Sequence, residues 1–507
     1  MVYGGNVRPD GIRTKGETAM KIGYARWVIS LMSVAISVAA FAAPANDLRL
    51  VDAVKRQDQA VIHDLLNERA DVNASQADGA TALAWAAHWN DLETADLLIH
   101  AGANVNAANE FGVTPLSLAC TNAGAAMIEK LLQAGANPNA AARTGETPLM
   151  TCARTGNAQA VKLLLARKAD VNAQEGHRGQ TALMWAAAEK HPEVVRVLTE
   201  SGADIHARSN GGFTALLFSA QQGDLESAKL LLAAGADVNE SSPESGSALV
   251  LATASGHQAM ALFFLEKRAN PNASDRYGIT ALHYAIQKGL SIVAGVRYDP
   301  LIAYLFRPNM TQLVKELLAK GANPNARIAK SPPLPATRKL VFSAVGATPF
   351  LLAAASYDVN LMRTLLAGGA DPNLATEENT TALIFAAGIG EGLGQIQDRT
   401  AEDEKNAMDA VRLLLELRAD VNAFNQSGLT SLHGAAHIGA DAIIQLLAER
   451  GAKVNVKDKV GQTPLSIAEK IIPPALLDDN LRPYYVHPTT AALLRKLGAE
   501  VGSDAVR

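Results

Sequence analysis

The feature that most constrains this chain is a pattern that returns every 33 or 34 residues. A Thr followed by Ala or Pro and then Leu stands at Thr81, Thr114, Thr147, Thr181, Thr214 and Thr280, and again at Thr381 and Thr463. Ser247, Thr348 and Thr430 keep the same place with small changes. A second marker, Ala-Asp/Asn-Val/Pro-Asn, ends at Asn73, Asn106, Asn139, Asn172, Asn239, Asn272, Asn325, Asn373 and Asn422, with His206 and Asn455 in variant copies. Between Asn73 and Asn272 each step is 33 or 34 residues. Two markers in phase over that distance define a unit that repeats. A unit this small cannot bury its own apolar face, so neighbours must stack.

Each unit reads as two helices and a turn. Thr is a good N-cap and Pro is tolerated at the first helical position, so Thr147-Pro148 starts a helix. The small residues Cys152 and Ala153 let the next unit approach closely. A second helix follows over Ala160 to Arg167, with Val161, Leu164 and Leu165 on one face. Gly135 suits a left-handed helix end, and the Asn and Asp residues beyond such glycines favour a tight turn into the next unit.

Gly-x-Thr-Pro-Leu, then Ala-Ala, then Leu-Leu, then Gly-Ala-Asp-Val-Asn resembles the ankyrin repeat, and the resemblance covers residues 46 to 500. It implies an all-α solenoid of about twelve stacked helix pairs with β-hairpin or turn fingers. Residues 46–78 read as an N-terminal capping repeat and 79–277 as regular repeats. Residues 278–459 are repeats with insertions at 290–308, 327–346 and 389–406, and 460–500 is a C-terminal capping repeat with an insertion at 471–488. The insertion 290–308 is apolar, and its aromatics suggest that it folds back onto the stack. The array also resembles exported ankyrin-repeat proteins of bacteria.

Composition agrees with helix stacking. In 507 residues, 48% are hydrophobic but only 5% aromatic, so Ala and Leu must supply much of the core. Net charge is −4, and the first 42 residues carry a net +3, leaving about −7 on the remainder. No concentrated basic surface is implied, which argues against nucleic acid as a partner. Lys21 and Arg26 precede a mostly apolar run from Trp27 to Phe41, and Ala40-Phe41-Ala42 offers small residues for cleavage. Residues 20–42 therefore read as a Sec-type signal peptide and 1–19 as an upstream extension, with Met20 the true start. The run is short for a spanning helix. The expectation is a periplasmic or secreted protein, monomeric, with no stable membrane insertion after cleavage.

The resemblance implies a partner protein bound on the concave face. The residue four after each marker Thr should line that face: Trp85, Leu118, Thr151, Trp185, Phe218, Leu251, Tyr284, Leu352 and Phe385, with Trp89 one turn beyond Trp85. Large rings of this kind are enriched in binding hot spots. The candidate protein-binding residues are Trp85, Trp89, Trp185, Phe218, Tyr284 and Phe385. The competing reading is that these rings cover small neighbours within the stack. Finger tips near Asp78, Glu110, Arg143, Arg178, Tyr277 and Lys459 would form a rim.

Catalytic, cofactor and metal residues are assigned to none of the positions. The chain contains no His-Glu-x-x-His pair, phosphate-binding loop or Gly-x-Ser-x-Gly elbow. His283 and His433 stand three after a marker Thr, where a structural hydrogen bond is expected. Cys120 and Cys152, on first helices of successive repeats, read as small buried thiols, with a disulfide left open by an oxidising compartment. The function this favours is a non-enzymatic interaction scaffold. The alternative is an accessory or regulatory subunit of an exported enzyme, docking through the insertions.

Overall fold

A computed structural model describes residues 47–293, 307–331, 343–389, 400–469 and 486–500. The extension, the signal segment and most of each insertion lie outside these residues. The chain forms two compact units, Met1–Arg143 and Thr144–Arg507.

The first unit holds three helix pairs, Arg49–Arg56 with Gln59–Asn67, Ala82–Trp89 with Leu92–His100, and Pro115–Thr121 with Ala125–Gln133. The second holds nine, from Pro148–Arg154 with Ala158–Ala166 to Pro464–Ala468 with Pro488–Lys496. Among the described residues the total is the twelve expected from eleven marker starts and the N-terminal cap. The marker Thr acts as read from the sequence. Thr81 Oγ1 accepts from the amide of Ala84 at 3.2 Å and Thr348 Oγ1 from that of Leu351 at 3.3 Å, each supplying one of the acceptors a helix start lacks. The apolar residue two later is sealed in the core: Leu83, Leu149, Leu249 and Phe350 are at most 1% exposed. Each such burial stabilises by about 1.5–3 kcal/mol.

The marker Asn does more than favour a turn. The turn itself belongs to the residue two earlier, as where Asp71 Oδ1 accepts from the amide of Asn73 at 2.9 Å. The Asn side chain reaches the next repeat. Asn73 Oδ1 accepts from the amide of Asn104 at 2.7 Å, and its Nδ2 donates to Gly102 O at 3.3 Å. Asn272 does the same to Asn323 and Gly321, and Asn422 to Lys453 and Gly451. A second link joins successive fingers through the backbone, as where Glu110 N–H donates to Asp78 O at 2.7 Å and Lys459 N–H to Ser427 O at 2.9 Å.

Two insertions prove to be partly helical. Residues 290–293 belong to a helix Gln287–Val293 that follows Ala281–Ala285 almost without a break. Leu290 and Val293 are buried, and the helix packs on Pro349–Ala355 so closely that a Cβ on Gly289 would run into the Leu352 carbonyl. Residues 401–406 begin the helix Ala401–Glu416, which at 16 residues is far longer than the nine of most second helices. Cys120 and Cys152, expected as thiols, are fully buried, and both are disulfide-bonded.

Candidate functional site

In the first unit, the helix Ala82–Trp89 turns three rings to one side. Trp85 and Trp89 stand one helical turn apart with centroids 6.3 Å apart and planes inclined by 28°, and His88 meets the edge of Trp89 at 4.7 Å. Trp89 is 45% exposed, an unusual figure for so large an apolar side chain. Trp85 is held more firmly. Its Nε1 donates to Gln76 Oε1 at 3.1 Å, and the Lys55 ammonium sits 4.9 Å from its ring centroid. The site is thus one fixed indole and one free indole with a cation beside them. Nothing in the sequence of its capping helix marks Lys55 as the cation that meets this ring.

In the second unit, Trp185 and Phe218 are part-exposed, as expected of the fourth position after Thr181 and Thr214. The Arg154 guanidinium lies 5.1 Å from the Trp185 centroid. Arg154 also pairs with Glu146 at 3.5 Å, and Glu146 accepts from Thr151 Oγ1 at 2.8 Å. Trp185 Nε1 is buried with no acceptor in reach among the described residues. Glu175, in the finger before it, is occupied by the amides of His177, Arg178 and Gln180. Those backbone bonds hold its carboxyl below the usual range against the opposing effect of burial, the largest single influence on it. Phe218 packs on Phe213 at 5.2 Å.

Farther along the second unit the same position turns inward. Leu251 is 4% exposed, Tyr284 9%, and Leu352 and Phe385 0%. The structure therefore removes Tyr284 and Phe385 from any open face. Tyr284 staples its helix to the preceding finger, its OH donating to Asp275 Oδ2 at 2.7 Å. Burial, and then the Asp275 charge, raise its pKa well above the ordinary phenol value. Phe385 begins a wide turn over Phe385–Ile389 that ends the short helix Ala382–Ile384. The turn is possible because Gly388 takes φ 110°, a conformation that side chains resist.

His283 and His433 play the structural part expected of them. His283 Nδ1 accepts from the Thr280 amide at 3.2 Å, and its Nε2 donates to Ala326 O at 3.1 Å and Ala347 O at 3.3 Å. Burial pushes its pKa from 6.5 to about 4. Among the described residues no group of three or more His, Cys, Asp or Glu side chains could hold a metal ion, and no helix is long and apolar enough to cross a membrane.

The family model for ankyrin repeats (3 copies) matches residues 50–142, 124–209, 179–242, 216–298 and 400–470, and the single ankyrin-repeat model matches 277–328. The chain belongs to the ankyrin-repeat family. Among curated proteins it is similar to the mouse ankyrin repeat and SOCS box protein 16, 32% identical over 152 residues, which is 28% of this chain and 31% of that protein. It is also similar to the Drosophila melanogaster neurogenic locus Notch protein, 36% identical over 145 residues, 26% of this chain and 5% of that one. The matched regions thus span about a third or less of these relatives. Among solved structures, the human ASB11 ankyrin repeat domain is 24% identical with a TM-score of 0.40, covering 44% of this chain and 98% of that one.

Proposed function

We propose that this ankyrin-repeat protein is a non-enzymatic scaffold that works outside the cytoplasm, in the periplasm or secreted, and captures a partner protein through the exposed rings of its first helices. Ankyrin repeats are protein-interaction modules, and the family assignment supports that much directly. The observation that carries the finer reading is Trp89: a 45% exposed indole, stacked beside a fixed Trp85, in a fold that had ample Ala and Leu to place there instead. Exposed aromatic groups of this kind anchor interfaces because they bring large apolar area with few rotatable bonds. Trp185 and Phe218 offer a second, separate anchor. Export rests on the basic-then-apolar pattern of residues 20–42.

The test has two arms. Cross-linking in the native envelope followed by mass spectrometry names the partner, and calorimetry with purified protein then compares Trp89→Ala and Trp185→Ala with the parent. The expected result is at least a tenfold loss of affinity, about 1.4 kcal/mol, in one or both variants at unchanged helicity. Full affinity in both sinks the ring-face reading. N-terminal sequencing of the mature protein tests export separately: a start near Ala43 supports it, and an intact Met20 or Met1 refutes it.

A further inference from the structure

Most successive fingers of the second unit are joined by two links, the marker Asn side chain to the next repeat and the finger-to-finger N–H···O bond; the junction after Asn373 keeps only the second, Gln426 N–H to Glu378 O. Asn172 accepts from the Asp204 amide and Asn210 N–H donates to Arg178 O at 2.8 Å. Asn239 accepts from the Asn270 amide and Arg276 N–H donates to Glu244 O at 3.4 Å. The junction between fingers 204–214 and 237–247 lacks both. His206 stands where the Asn belongs, so no side-chain amide reaches Asp237. Pro243 stands where the finger donor belongs, and proline has no N–H to give.

What replaces them is a set of side-chain contacts. Glu240, 6% exposed, accepts from Thr214 Oγ1 and faces His206 Nδ1 at 3.3 Å. Arg208 Nη1 donates to Ser241 O at 2.9 Å. The Pro243 ring lies on Gly212, and the finger behind it pairs with itself, Ser241–Ser242 against Gly246–Ser247. His206 and Arg208 are exposed, so water competes for their bonds. The opposite edge of the same junction stays fastened. His257 Nε2 meets Gln221 O at 3.1 Å with its ring over Gly223, and the helices Ala215–Gln222 and Ala248–Ala254 pack along their length.

A joint fastened on one edge and weakly tied on the other is the geometry of a hinge. We propose that the second unit flexes here: fingers 204–214 and 237–247 part and re-close about the His257 latch while the inner helices stay in contact. The motion swings the face bearing Trp185 and Phe218 against the remainder of the unit. It follows from the missing links alone and does not depend on the binding reading above.

Spin labels at Arg178→Cys and Glu244→Cys span this junction over two finger steps, and labels at Ser274→Cys and Glu377→Cys span two steps that keep both links. Both native cysteines are disulfide-bonded, which leaves the introduced thiols to take the label. In the full chain the first pair is expected to show a second, longer-distance population and the control pair a single one. His206→Asn with Pro243→Gln restores both links and is expected to abolish the longer population at unchanged helicity. Arg208→Ala removes an exposed tie, touches no helix cap, and is expected to enlarge it. A single narrow distance in the parent overturns the hinge. So does a longer population that persists in the link-restored variant when circular dichroism shows that variant folded.

Discussion

Within the second unit, Trp185 and Phe218 occupy the same place in their repeats as Tyr284 and Phe385, yet the first two meet solvent and the last two do not. The local sequence around each is alike: Thr, then Ala, then Leu, then the ring two residues on. What differs is the neighbourhood. After Tyr284 the chain adds the helix Gln287–Val293, which lays Leu290 and Val293 against Pro349–Ala355. After Phe385 it makes a wide turn at Gly388 and returns through a lengthened helix. The two rings that meet solvent stand in regular repeats and the two sealed rings stand where a repeat carries extra chain, although the smaller Thr151 and Leu251 are buried at this position in regular repeats too.

The largest test of this contrast is ring removal. Phe385→Ala should cost about 3–5 kcal/mol because a fully buried ring leaves a cavity that neighbours fill only partly. Phe218→Ala, part-exposed, should cost well under half of that. Urea titrations of the full chain followed by circular dichroism compare the two midpoints. Equal shifts would mean that the burial difference carries no energetic weight.

Acid should separate the two regions next. His283 is fully buried and its pKa falls from 6.5 to about 4, so the unfolded chain takes up a proton over that window and the folded chain does not. Stability is therefore fully present above pH 6.5, declines as pH falls toward 4, and levels off below it. The shift corresponds to about 3 kcal/mol. His433 shifts in the same direction, again chiefly by burial. Burial also takes His437 to about 4, so His283→Met, copying Met150 and Met184 at the same place in regular repeats, should remove the His283 share of that decline and leave the share of His437 and His433. An unchanged pH profile in this variant would contradict the burial account.

How far the sequence led is instructive at particular residues. Thr81, Thr147 and Thr348 declare helix starts because capping is a local act between residues three apart, and eleven of the twelve pairs follow from counting such starts, the first pair being a cap that lacks one. The reach of Asn73 to Asn104, or of Asn272 to Asn323, was hidden because the partner lies 31 or 51 residues away and only folding sets them side by side. Residues 290–293 and 401–406 read as inserted loops because no marker precedes them, and the charges Glu402, Asp403 and Glu404 look like solvated loop. In the structure Thr400 caps those charges into a helix N-terminus, with Asp403 accepting back from the Thr400 amide at 3.1 Å. Burial at Tyr284 and Phe385 was illegible for a related reason: it depends on chain that arrives from outside the repeat pattern.

A smaller effect separates Tyr284 from the other rings. Tyr284→Phe keeps the ring and deletes the donor to Asp275, which retains the Tyr277 and Ile279 amides at 2.9 and 3.0 Å. The cost should be about 1.5–3 kcal/mol, the worth of one hydrogen bond to a carboxylate, because Oδ2 loses its donor while the two amides stay on Oδ1. Hydrogen exchange at those two amides reads it locally, and protection there should fall in the variant.

The smallest effect is the sharpest, because its sign is unusual. Trp185→Phe removes an indole N–H that donates to nothing in reach, so the folded protein loses no bond and sheds a buried donor. Against this stands some lost ring area and a weaker platform for Arg154, worth about 0.5–1 kcal/mol where the cation is exposed. The two terms oppose each other, and the midpoint of urea unfolding should move little in either direction. Trp85→Phe in the first unit lacks the compensating term, since Trp85 Nε1 has Gln76 as its acceptor, and it should destabilise. If Trp185→Phe proves the more costly of the two, then Nε1 has a partner in solution, and the exposed face of the regular repeats is more tightly organised than the buried one that follows it.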